Sequence, residues 1–91
     1  MFTVHKFPLG GSGVQVVAIR GLVKLLTVQA QRNTPCLWAL VDDSPGAAVV
    51  TVRLVTVRTG GEAPAVLGEY LGTLQLDDGW FVGHVFVEGR P

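Results

Sequence analysis

Seven short runs of alternating residues rich in Val, Thr, Leu and aromatics, set apart by Gly, Pro, Asn and Asp, leave this chain little to build but β-sheet. The spacing predicts strands over Phe2–Phe7, Val14–Arg20, Lys24–Gln31, Cys36–Val41, Val49–Arg58, Tyr70–Leu76 and Trp80–Glu88. The gaps at Pro8–Gly13, Asn33–Pro35, Asp42–Ala47, Thr59–Pro64 and Asp77–Gly79 hold turn formers. Glycine supplies positive φ there, proline a fixed φ, and Asn or Asp local hydrogen bonds. No internal repeat, low-complexity tract or linker breaks the pattern. At 91 residues the expectation is one β domain over 1–91, all-β, a small antiparallel sandwich or partly open barrel of about seven strands.

Side chains alternate faces along a strand, so the turns decide what meets what. A two-residue turn at Asn33 and Thr34 sets Gln29 opposite Trp38 and Gln31 opposite Cys36. One face then carries Leu26, Val28, Ala30, Leu37, Ala39 and Val41 and forms the core. Trp38 falls on the other face, among glutamines, where partial cover by Gln29 or a loop, a subunit interface and a stacking platform are the alternatives. The interface is preferred. In the fifth run Val50, Val52 and Leu54 point to the core, while Val49, Thr51, Arg53, Val55 and Val57 point away. Arg53 packs its stem among valines and needs an anion, carbonyls, or an ion pair with Glu69 or Glu88. The last two strands form a hairpin around Asp78-Gly79, and the loop length there sets the register of Tyr70 and His84.

Composition adds a constraint on assembly. Hydrophobic residues make up 48% of the chain and charged residues 15%, against a typical charged share of about 25%. Mean hydropathy is +0.45. A chain this short buries roughly 60–70% of its unfolded surface, so the apolar material exceeds one thin core and a homo-oligomer is expected. Seven basic residues balance seven acidic ones and stand singly, which leaves no positive field for duplex nucleic acid. A small anionic ligand needs only two or three converging arginines and stays open. The lone Cys36 rules out an internal disulfide and fits a reducing compartment. The opening Phe2-Thr3-Val4-His5 is unlike a signal peptide, and no apolar run nears the roughly 20 residues that cross a bilayer. No membrane partner is expected, and the expected location is cytoplasmic.

Residues that carry chemistry are few. His5, His84 and Cys36 lack the spacing of a zinc site, and Cys36 reads as a small strand residue. His84 reads as a packed, hydrogen-bonded strand residue, and no cofactor or metal is expected. Gly10-Gly11-Ser12-Gly13 lacks the Lys and Ser or Thr of a phosphate loop and reads as a flexible connection. Asp42-Asp43 and Asp77-Asp78 sit in turns. Arg58-Thr59-Gly60-Gly61 is either an ordinary strand-ending loop or a concavity of backbone N–H groups beside an arginine, suited to an anion.

Several stretches carry a resemblance: Lys6-Phe7-Pro8-Leu9, Leu26-Thr27-Val28-Gln29, Cys36-Leu37-Trp38-Ala39-Leu40-Val41-Asp42, Thr59-Gly60, Leu71-Gly72-Thr73, and Phe81-Val82-Gly83-His84-Val85-Phe86. In that order they resemble a family of small, uncharacterised, mostly phage-encoded proteins. The resemblance implies a phage origin and a non-enzymatic role in the host cytosol. By analogy of context, it implies an oligomeric sponge that sequesters a nucleotide second messenger of bacterial immunity. Trp38, Tyr70 or Trp80 would then stack on bases. Arg53, Arg58 and the Thr59-Gly60-Gly61 turn would hold phosphates, with His84 in the same ligand set. The alternative is a protein-binding inhibitor or a virion-associated structural protein.

Overall fold

A strand buries every second residue, so two sheets can share one core only if their inward rows face each other. The computed structural model describes residues 1–10 and 13–89 and meets that condition. Its elements are β1 (Phe2–Pro8), β2 (Gly13–Arg20), β3 (Leu22–Gln31), β4 (Thr34–Asp42), β5 (Val49–Arg58), β6 (Leu67–Leu76) and β7 (Phe81–Glu88). A 3-10 turn at Asp77–Gly79 joins the last two. Gly11 and Ser12 of the expected glycine-rich connection, and Arg90, lie outside the described residues.

The strands pair antiparallel into a three-stranded sheet, β1-β4-β3, and a four-stranded sheet, β2-β5-β7-β6. The two pack as a sandwich; of the two expected forms, this is the one adopted, without barrel closure. Val28, Leu37, Ala39 and Val41 from the first sheet meet Ile19, Leu54, Leu74 and Val85 from the second, all essentially inaccessible to water. Each of the larger side chains contributes about 1.5–3 kcal/mol on burial.

Two glycines let the sheets approach. At Gly21, β2 bends straight into β3 and so changes sheets. Its N–H donates to the Ala48 carbonyl and its carbonyl accepts from Asp42 N–H, each at 2.7 Å. With φ at +71° and the Asp42 carbonyl oxygen 2.1 Å from where a Cβ would stand, only glycine fits. At Gly72, β6 passes close to β3, with the Val28 carbonyl 2.8 Å from a Cβ position. Thr27 Oγ1 donates to the Leu71 carbonyl beside it at 3.2 Å.

Several local expectations need correction. The β3–β4 turn is Arg32–Asn33, both at positive φ, not Asn33–Thr34. Gln29 therefore faces Cys36 and Gln31 faces Thr34. A slip of two preserves the faces, so the inward row of β4 is as expected. Leu26 is not in the core but 41% exposed, because a register shift between Leu25 and Thr27 turns Leu25 inward instead. Ala30 is exposed at the end of the sheet. On β5 the end residue Val50 is exposed, whereas outward-facing Val55 is only 6% exposed. Trp80 belongs to the final loop rather than to β7, because Leu76 pairs directly with Phe81.

Candidate functional site

Directly opposed residues in an antiparallel pair share a face, so the registers define the outer surface of the four-stranded sheet. Val14 and Val16 of β2 stand beside Val55 and Arg53 of β5. Val55 and Val57 stand beside Phe86 and His84 of β7. Those two stand beside Tyr70 and Thr73 of β6. The surface is largely apolar, and a polar ridge crosses it.

That ridge is a chain of four hydrogen-bonded side chains. The Tyr70 hydroxyl lies 2.5 Å from Thr73 Oγ1, which lies 2.9 Å from His84 Nδ1. His84 Nε2 in turn lies 2.7 Å from Thr59 Oγ1. A neutral imidazole donates through one nitrogen and accepts through the other, and a hydroxyl does both. The chain can therefore be polarised in either direction, leaving a free hydroxyl hydrogen at Thr59 or at Tyr70. Tyr70 is 54% exposed, and its ring tilts against Phe86 with centroids 5.4 Å apart. One aromatic surface with polar groups at its edge is thus open to water.

Local geometry accounts for the ridge. Tyr70 and Thr73 are three residues apart, which strict alternation would put on opposite faces. Register shifts between Leu67 and Gly72 absorb the extra residue and bring both to the His84 side. At the other end, Thr59 N–H donates to the Val82 carbonyl at 3.3 Å, and Gly61 N–H closes a turn on the Arg58 carbonyl at 2.8 Å. Gly60 sits in that turn at φ +80°.

Of the residues singled out in sequence, the fold brings Thr59, Tyr70 and His84 together, with Gly60 in the adjoining turn. Arg53 shares their face but is ion-paired to Glu88, which answers the choice between Glu69 and Glu88. It borders a cleft of about 430 Å³ lined by Leu25, Thr51, Val52, Val87 and Glu88, where β7 stops short of the end of β5. Arg58 is opposite Gly83 and so projects to the other side of the sheet, its guanidinium 5.2 Å from the centre of the Phe81 ring. Arg53 and Arg58 therefore do not converge. Trp38 lies on the outer face of the other sheet, half-buried between Lys6 and Thr27 rather than beside Gln29. Trp80 projects from the last hairpin at 88% exposure. Thr73, the centre of the ridge, stands in the sequence only as part of the Leu71-Gly72-Thr73 stretch and not among the candidate site residues; Gly72 inside a strand is the signal for the bulge that positions it.

Among the described residues, no three His, Cys, Asp or Glu side chains gather as a metal centre requires. No helix among them is long and apolar enough to cross a membrane.

Fold and ridge together define a small antiparallel β-sandwich with one hydrogen-bonded polar line across an apolar sheet face. The chain belongs to the family described as Domain of unknown function (DUF7352), whose model matches residues 1–91. No curated protein and no solved structure matches it.

Proposed function

We propose that this protein is a non-enzymatic binding module that works as a homo-oligomer and presents the outer face of its four-stranded sheet to its ligand. The observation that carries the reading is that exposed Val14, Val16 and Tyr70 share that face with the Thr59–His84–Thr73–Tyr70 chain. Surface area supports the oligomer. The accessible surface is 5734 Å², roughly 600 Å² above the roughly 5,100 Å² that scaling gives for a 9.7 kDa monomer. Both ring nitrogens of His84 are engaged by threonine hydroxyls rather than by a carboxylate, which suits recognition better than proton abstraction.

A small ligand carrying a base, such as a cyclic nucleotide, suits this surface through stacking and neutral hydrogen bonds rather than through converging arginines, since Arg53 is paired with Glu88 and Arg58 lies on the other side of the sheet. Tyr70 offers a face for stacking, and the ridge offers hydroxyl and imidazole hydrogen bonds. The resemblance to phage-encoded proteins supplies the setting, sequestration of a nucleotide messenger in a host cytosol. Buried, unpaired Cys36 fits that reducing compartment. Capture of a protein, as an inhibitor or virion-associated part, is a second reading that Trp80 favours, since an indole so exposed suits insertion into a partner's pocket. Calorimetry of the purified chain against cyclic oligonucleotides and ADP-ribose derivatives tests the first reading. Binding at micromolar concentration with the ligand recovered intact supports it; no heat from any member of the panel contradicts it.

A further inference from the structure

The free edges of the two sheets differ in how they are protected. Edge strands expose unpaired N–H and C=O groups, and proteins blunt them with Lys, Pro, bulges or cover. β1 carries Lys6 at mid-strand and ends on Pro8. β3 and β6 are each interrupted by register shifts, and they lie against each other at Thr27 and Leu71. β2 has none of these devices. Its pairing with β5 runs unbroken from Gly13–Thr56 to Arg20–Val49, it contains no proline, and its one charge is Arg20 at the end. Among the described residues, no strand pairs with its other side.

The ladder fixes which groups are free. Gly21 N–H donates to the Ala48 carbonyl and continues the β2–β5 register, so odd-numbered residues of β2 aim their backbone groups at β5. Val14, Val16, Ala18 and Arg20 aim theirs away from it. The same residues place their side chains on the outer face, where Val14 is 50% and Val16 57% exposed.

We infer that β2 pairs antiparallel with β2 of a second copy, joining two four-stranded sheets into one of eight strands about a two-fold axis. The occupant is a second copy because the strip is complementary to itself. Turned end for end about an axis at Val17, its free donors meet its free acceptors, and its apolar outer rows become neighbours. Arg20 does not meet itself in that register but falls beside Val14, so no like charges oppose. In the joined sheet the two polar ridges lie on one continuous face. This pairing rests on the oligomeric reading above and specifies its contact.

Amide hydrogen exchange on the full chain, with its mass by light scattering, tests the contact. The N–H groups of Val14, Val16 and Ala18 are expected to exchange on the order of 100-fold more slowly than unprotected amides, although β5 does not bond them. In Val16→Pro, which removes an edge donor but no β2–β5 bond, the mass is expected to fall to one chain with the near-UV spectrum retained. An oligomer whose Val14, Val16 and Ala18 amides exchange freely overturns the β2 contact and leaves the oligomeric reading standing. A wild-type monomer overturns both.

Discussion

Asn33 and Asp77 hold the two hairpin tips at one end of the sandwich together by a reciprocal pair of hydrogen bonds. Asn33 Nδ2 donates to Asp77 Oδ1 at 2.8 Å, and the Asp77 backbone N–H donates to Asn33 Oδ1 at 2.7 Å. Both residues adopt positive φ, which Asn and Asp tolerate better than other side chains. One pair of side chains thus shapes two turns and ties one sheet to the other.

The two contributions of Asn33 can be separated. Asn33→Gly keeps the left-handed turn and loses the clasp, so it is expected to destabilise by about 1–2 kcal/mol. Asn33→Ala loses the clasp and strains the turn, and it is expected to cost about 1 kcal/mol more. Urea denaturation of the two variants checks the order.

Gly21→Ala is expected to be the more damaging change, because the new methyl would overlap the Asp42 carbonyl oxygen at the bend joining the sheets. A loss above about 2 kcal/mol in the same assay, or failure to fold, is the expected outcome.

The Asp42 carboxyl is held below its ordinary range, first by the Ser44 hydroxyl, 2.6 Å from Oδ1, and then by the Ser44 backbone N–H at 3.0 Å. A depressed carboxylate pKa contributes stability above its unfolded value, and that stability is lost as pH falls through the folded value. Ser44→Ala is expected to move the Asp42 titration upward toward the ordinary range, read from its carboxyl carbon by NMR, to lower stability at neutral pH, and to make the loss of stability in acid shallower, because less stability then depends on the ionised carboxyl.

The ridge and the remaining candidates make opposite forecasts for ligand binding. Tyr70→Ala and Thr73→Val are expected to weaken a nucleotide found by calorimetry about 10-fold or more, through lost stacking and a broken hydrogen-bond chain. Trp38→Ala lies on the other sheet, and Arg58→Ala on the other side of β5, so each is expected to leave the affinity within about twofold. Loss of binding in Arg58→Ala with Tyr70→Ala unaffected would move the site to the opposite side of the sheet.

These contrasts show what the sequence made legible. Alternation identified all seven strands and the inward row of β4, because period-two burial survives a register error of two. It misplaced Leu26 and missed Thr73 for one reason: a bulge inserts a residue and inverts the faces beyond it. Glycine at position 72 marks such a site without stating which way the strand turns. Thr59, Tyr70 and His84 were identifiable as residue types, but their meeting depends on pairing between β6 and β7 and on the turn after β5. Arg53 and Arg58 looked like partners in sequence, yet positions five apart on a strand face opposite ways.

The proposed oligomer links the proposed ligand face to the β2 edge, and the mass of the protein in solution tests it most directly. Multi-angle light scattering on the purified chain, from about 1 to 100 μM, is expected to give twice the 9.7 kDa of one chain or a higher multiple. A mass of 9.7 kDa across that whole range would contradict it.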